Sequence, residues 1–103
     1  MESLQNMNPD DFVIFAELNR DHFDEIVLAL SEHFENIEHG SQGDDWIWIH
    51  LGEDRIEIDS FYSMNLEFKG RYEHLSLIRK LLQTMSDAWI LQVFDPPKMD
   101  MTR

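Results

Sequence analysis

A chain of 103 residues with 43% hydrophobic content and twelve aromatics has the size and the apolar payload of one small domain, which excludes wholesale disorder, and the absence of cysteine excludes disulfide frameworks, thiolate nucleophiles and zinc–thiolate sites. The net charge of −13 belongs entirely to the first half: Met1 to Asp54 holds fourteen Asp or Glu against Arg20 alone, whereas residues 55–103 hold seven charges of each sign. Such a field repels nucleic acid and anionic membranes and draws basic partners, and it also serves plain solubility.

The first ten residues are acidic, lack the apolar run of a signal peptide and read as a loose lead-in ending near Pro9. With no apolar stretch of membrane-spanning length, the expectation is a cytoplasmic protein. Asp11–Leu18 (DFVIFAEL) is apolar on both faces, which predicts a strand inside a sheet. The following NRDHFDEIVLALSEHFE predicts a helix, with Asn19 or Asp21 as its cap and Asp24 and Glu25 suited to its first turn. Phe23, Ile26, Val27, Leu30 and Phe34 form its apolar stripe, and Asp24, Glu25, Glu32 and Glu35 take the opposite side. NIEHGSQGDD, with Gly40 and Gly43, breaks the helix and reads as a loop.

DDWIWIHLGEDRIEID (Asp44–Asp59) reads as a hairpin around Gly52-Glu53-Asp54. Ile47, Ile49, Leu51, Ile56 and Ile58 share one face, and Trp46, Trp48, His50, Arg55, Glu57 and Asp59 share the other. SFYSMNLEFKG continues the alternation with Met64, Leu66 and Phe68 inward and Asn65, Glu67 and Lys69 outward. YEHLSLIRKLLQTMS predicts a second helix with Leu75, Ile78, Leu81, Leu82 and Met85 on its stripe. Ala88–Phe94 is a last strand, stopped by Pro96-Pro97 and followed by a frayed tail. The expected fold is α+β: a single domain over residues 1–103, loose at 1–10 and 96–103, ordered β-α-β-β-β-α-β. Two helices cover one face of a mainly antiparallel sheet, a two-layer sandwich and ferredoxin-like variant.

That packing leaves the second sheet face without helices, and there two tryptophans stand among charges. Large anchors within a polar rim are the anatomy of a protein interface. The expected partner-binding set is Trp46, Trp48, His50, Glu57, Asp59 and Glu67, joined by the helical acids Asp24, Glu25, Glu32 and Glu35. Packing of the tryptophans under a chain terminus, or of the sheet on a second copy, accounts for the same pattern. For metal chemistry, His33, His39 and His50 with Glu35, Glu38, Asp44 and Asp45 are the ligand types at hand, but no histidine pair has the i, i+4 spacing of a helical zinc site. No phosphate loop or nucleophile elbow is present, so no cofactor, metal or catalytic residue is assigned. Glu17, alone in an apolar strand, is the one isolated acid that burial could tune, and the strand end places it at solvent.

DRIEIDSFYSMNLEFKG, followed by an amphipathic helix and the strand WILQVFD, resembles small bacterial immunity-type proteins of contact-dependent and polymorphic toxin systems. The resemblance covers about the second two-thirds of the chain and rests on a pattern, so it carries no residue-level site. It implies a single-domain, non-enzymatic inhibitor of a cognate toxin in the same cytoplasm, and the acidic half suits a basic toxin. The alternatives are a homo-oligomeric structural or regulatory domain and a small metal-dependent hydrolase. The expected assembly is a monomer or homodimer that binds neither nucleic acid nor membrane.

Overall fold

Alternation in the strands and helical periodicity between them direct most large aliphatic side chains to one layer boundary. The computed structural model describes residues 7–102. Its strands are β1 (Phe12–Leu18), β2 (Ile37–Gly40), β3 (Trp46–Leu51), β4 (Asp54–Asp59), β5 (Leu66–Arg71) and β6 (Ile90–Met99). Helix α1 (Phe23–His33) follows β1, and α2 (Leu75–Thr84) follows β5. The sheet order is β2-β3-β4-β5-β1-β6, and each neighbouring pair is antiparallel. β5 and β6 therefore run the same way on either side of β1, with α2 crossing between them, which is the split βαβ arrangement.

Helices pack on the sheet in an α+β fold, as expected. Phe23, Ile26, Val27 and Leu30 of α1 and Ile78, Leu81 and Leu82 of α2 join Val13, Phe15, Ile47, Ile49, Ile56, Ile58, Leu66 and Phe68 in one core. Fully burying one such side chain stabilises the fold by about 1.5–3 kcal/mol. Asn19 caps the 3-10 turn that leads into α1: its side chain accepts from the Asp21 N–H at 3.0 Å. Between β3 and β4 the loop is only Gly52-Glu53, and Gly52 has φ +63°, the glycine at the first central position that a type II′ hairpin turn requires.

Three local expectations are corrected. NIEHG is not all loop: Ile37–Gly40 forms β2, paired to β3 through Ile37↔Ile49 and Gly40↔Trp46. β6 does not stop at the prolines but runs to Met99, with Ile14↔Lys98 and Val13↔Met99 paired. Register shifts skip residues 94–97 between those pairs and Ala16↔Val93, so both prolines sit outside the β1 ladder and cost it no hydrogen bond. Met64 is 86% exposed, because β5 begins only at Leu66 and the residues before it leave the sheet as a loop.

Candidate functional site

On the helix-free face, cross-strand pairing lines side chains up in rows. One row reads Gly40, Trp46, Asp59, Glu67, Glu17, and the next Glu38, Trp48, Glu57, Lys69, Ile14, Lys98. The two indoles meet at a centroid distance of 4.7 Å, their planes tilted by 43°. Trp46 lies across Gly40, where a Cβ would fall 2.7 Å from its ring atoms. The Arg55 guanidinium covers Trp48, with Cζ 4.0 Å from the ring centroid. Its Nε and Nη2 donate to Glu57 Oε2 at 3.2 and 3.0 Å. Both tryptophans are half-buried. They stand on the charged side because the glycine surface and the guanidinium give their faces partners that no helix supplies.

The middle of this face is covered rather than open. The loop Ser60–Asn65 is tied down where Ser63 Oγ donates to Glu17 Oε2 at 3.0 Å, and Ser60 N–H donates to Asp45 O at 3.0 Å. From the other side comes the C-terminal turn, where Thr102 N–H donates to Asp100 Oδ1 at 3.1 Å. Asp59 and Lys69, both read from the sequence as outward, are fully buried, and Glu57 is buried too. Lys69 Nζ donates to Asp59 Oδ1 at 3.1 Å, and the Phe61 N–H reaches the same oxygen at 3.2 Å. Asp59 Oδ2 is buried and has no hydrogen-bond partner among the described residues. An acceptor left so costs about 1–3 kcal/mol, and more when it is charged.

Glu67 Oε1 stands 3.9 Å from Lys69 Nζ. Burial pushes the Glu67 carboxyl above the usual range, and the Asp59 and Asp100 charges add to the rise. Lys69 and Lys98 oppose the shift without cancelling it. A cavity of about 380 Å³ opens beside this cluster, lined by Glu57, Asp59, Phe61, Tyr62, Lys69 and Thr102. Phe61, Tyr62, Met64 and Met101 stand exposed on the covering loop and turn.

Not all ten expected partner-binding residues share a surface. Trp46, Trp48, His50, Glu57, Asp59 and Glu67 lie on the helix-free face, with His50 Nε2 bonded to Glu38. Asp24, Glu25 and Glu32 are exposed on α1 and Glu35 just past its end. α1 packs on the other side of the sheet, so these four stand apart from the tryptophans. Asp59 and Glu57 are buried, so neither stands at an exposed rim of this face. What the sequence did not disclose is the covering loop and its aromatics: Phe61 and Tyr62 fall in a break of the alternation, where periodicity carries no information about facing.

Of the metal-ligand types named from the sequence, no three converge among the described residues: Asp45 accepts from Arg20 Nε at 2.7 Å, and Glu38 pairs with His50. Asp54, Glu73 and His74 do converge, with candidate ligand atoms within 4.8 Å of one another. Arg71 Nε lies 3.3 Å and His74 Nε2 3.1 Å from the Asp54 carboxylate oxygens. Glu17 is half-buried at the end of β1, where it accepts from Ser63. Among the described residues, no helix is long and apolar enough to cross a membrane. Comparison with protein-family models, curated proteins and solved structures finds no match for this chain.

Proposed function

We propose that the chain is an acidic, non-enzymatic binding protein that holds a basic protein partner on the helix-free face of its sheet. The observation that carries this reading is the Trp46–Trp48 pair in contact, with Arg55 over Trp48, on the face that also bears exposed Phe61, Tyr62 and Met101, within a field of net charge −13. Aromatic, methionine and arginine side chains are those that concentrate binding energy at interfaces. The immunity-type resemblance fits the same picture: an inhibitor that occupies a basic toxin in the cytoplasm they share.

The test is affinity capture from the host with wild type and Trp48→Ala as baits. The reading requires an identified basic protein, retained by wild type, released by salt and held more weakly by the variant by ~2 kcal/mol or more. Thermal stability is measured alongside. A variant that loses stability as much as binding marks Trp48 as a packing residue only.

A second reading is self-association through the same face. It is supported by the internal pairing of Arg55 with Glu57 and of Lys69 with Asp59, which lets two copies meet without burying unpaired cations. Sedimentation separates the two readings, since a strict monomer at high protein concentration removes the second.

A further inference from the structure

The cluster under the Ser60–Asn65 loop has a defect that asks for a ligand. Asp59 is fully buried, one carboxylate oxygen is saturated by Lys69 and the Phe61 N–H, and the other has no partner among the described residues. A carboxylate oxygen can only accept, so the missing group is a donor. Phe61 and Tyr62, 44% and 64% exposed, line the adjoining cavity on the side of the loop. Flat aromatic walls beside a carboxylate suit a planar donor with delocalised charge. Lys69 Nζ, 3.1 Å from the same carboxylate, opposes any cation here, and a guanidinium, with its charge spread over a plane and its weaker hydration, is opposed less than a compact ammonium.

We propose that this cavity receives the guanidinium group of an arginine side chain on the protein partner, with Asp59 Oδ2 as its acceptor and Phe61 and Tyr62 as its walls. The assignment rests on the proposed function and names the chemistry that the partner brings. Asp59 Oδ2 is buried, so entry requires the residues around it to open. Tyr62 is 64% exposed, and its ring is approached by Lys69 Nζ at 5.3 Å from its centroid.

The site is tested without the partner, by titrating isotope-labelled protein with ethylguanidinium chloride and following amide shifts, with tetramethylammonium chloride as the control for salt. Saturable shifts at Phe61, Tyr62 and Lys69, absent in the control, are expected. Asp59→Asn puts an amide donor opposite the ligand's donor and should weaken the response about tenfold or more. Tyr62→Leu, at an exposed position, keeps the fold and should weaken it about threefold. Folded wild type that gives no saturable shift overturns the inference, and so does a response that both variants leave unchanged. Neither result touches the proposed function, which stands or falls on the capture experiment. If the probe binds but no basic protein is retained, the ligand is a free guanidinium compound, and the assignment to a partner's side chain is overturned.

Discussion

Lys69 and Asp59 are the most consequential pair of residues in the chain. Both are withdrawn from water, and their attraction at 3.1 Å offsets two desolvation costs. Removing one member leaves the other as an uncompensated buried charge. Lys69→Met should therefore lower stability by ~3–5 kcal/mol in urea unfolding, a large share of the about 5–15 kcal/mol typical of a domain this size. Adding Asp59→Leu should restore most of the loss, since an apolar pair of similar volume needs no solvation. If the double variant is no more stable than the single one, the pair is not the source of the effect.

Glu67 gives a pH-dependent counterpart. Its carboxyl titrates above the ordinary 4.5 because ionisation is opposed by burial and by Asp59 and Asp100. A raised folded-state value means that the stabilising contribution is fully present below the unfolded value and is lost as pH rises through the folded one. Glu67→Gln, which imitates the protonated form, should accordingly be more stable than wild type at pH ~7 and lose that advantage below about pH 4.5. Chemical denaturation at the two pH values measures this. A variant less stable than wild type at neutrality indicates that attraction to Lys69 outweighs burial.

Among the elements, β2 is the one whose existence depends most on its neighbour. Ile37–Gly40 is a four-residue edge strand with a single partner, β3, and the Trp46 indole covers its terminal glycine. Gly40→Ala would force the ring off the backbone and should cost ~1–3 kcal/mol as overpacking, with a red shift of tryptophan emission as the ring moves into water. Unchanged emission would show that Trp46 does not rest on Gly40. The opposite edge, β6, accommodates two prolines because residues 94–97 stay outside the ladder with β1.

For the whole molecule, charge and contact are placed on different sides of the sheet. The acids of α1 stand on the helix layer, and the tryptophans and the buried cluster lie beyond the sheet. Replacing Asp24, Glu25, Glu32 and Glu35 by Asn or Gln should therefore alter a basic partner's association rate and leave its dissociation rate alone. The expected loss is about tenfold at low ionic strength. It should shrink at about 0.15 M salt, where the Debye length is about 8 Å. A changed dissociation rate would place the partner on α1 itself.

By itself the sequence determined the fold class, both helices with their buried stripes, the aliphatic face of the β3–β4 hairpin and the uneven charge, because each is written in local periodicity and composition. Period two also assigned Trp46, Trp48, Glu57, Asp59 and Lys69 to one face correctly. Whether that face met water was another matter. Only the tertiary structure decided it, because the cover over Asp59 and Lys69 comes from a non-periodic loop, Ser60–Asn65, and from a C-terminal turn that is far away in sequence. The same holds for β2, which is too short to announce itself without Ile49 and Trp46 opposite, and for the last residues of β6, which pair with Val13 and Ile14 near the chain's other end. Alternation tells which way a side chain points, and only the folded chain determines what stands in front of it.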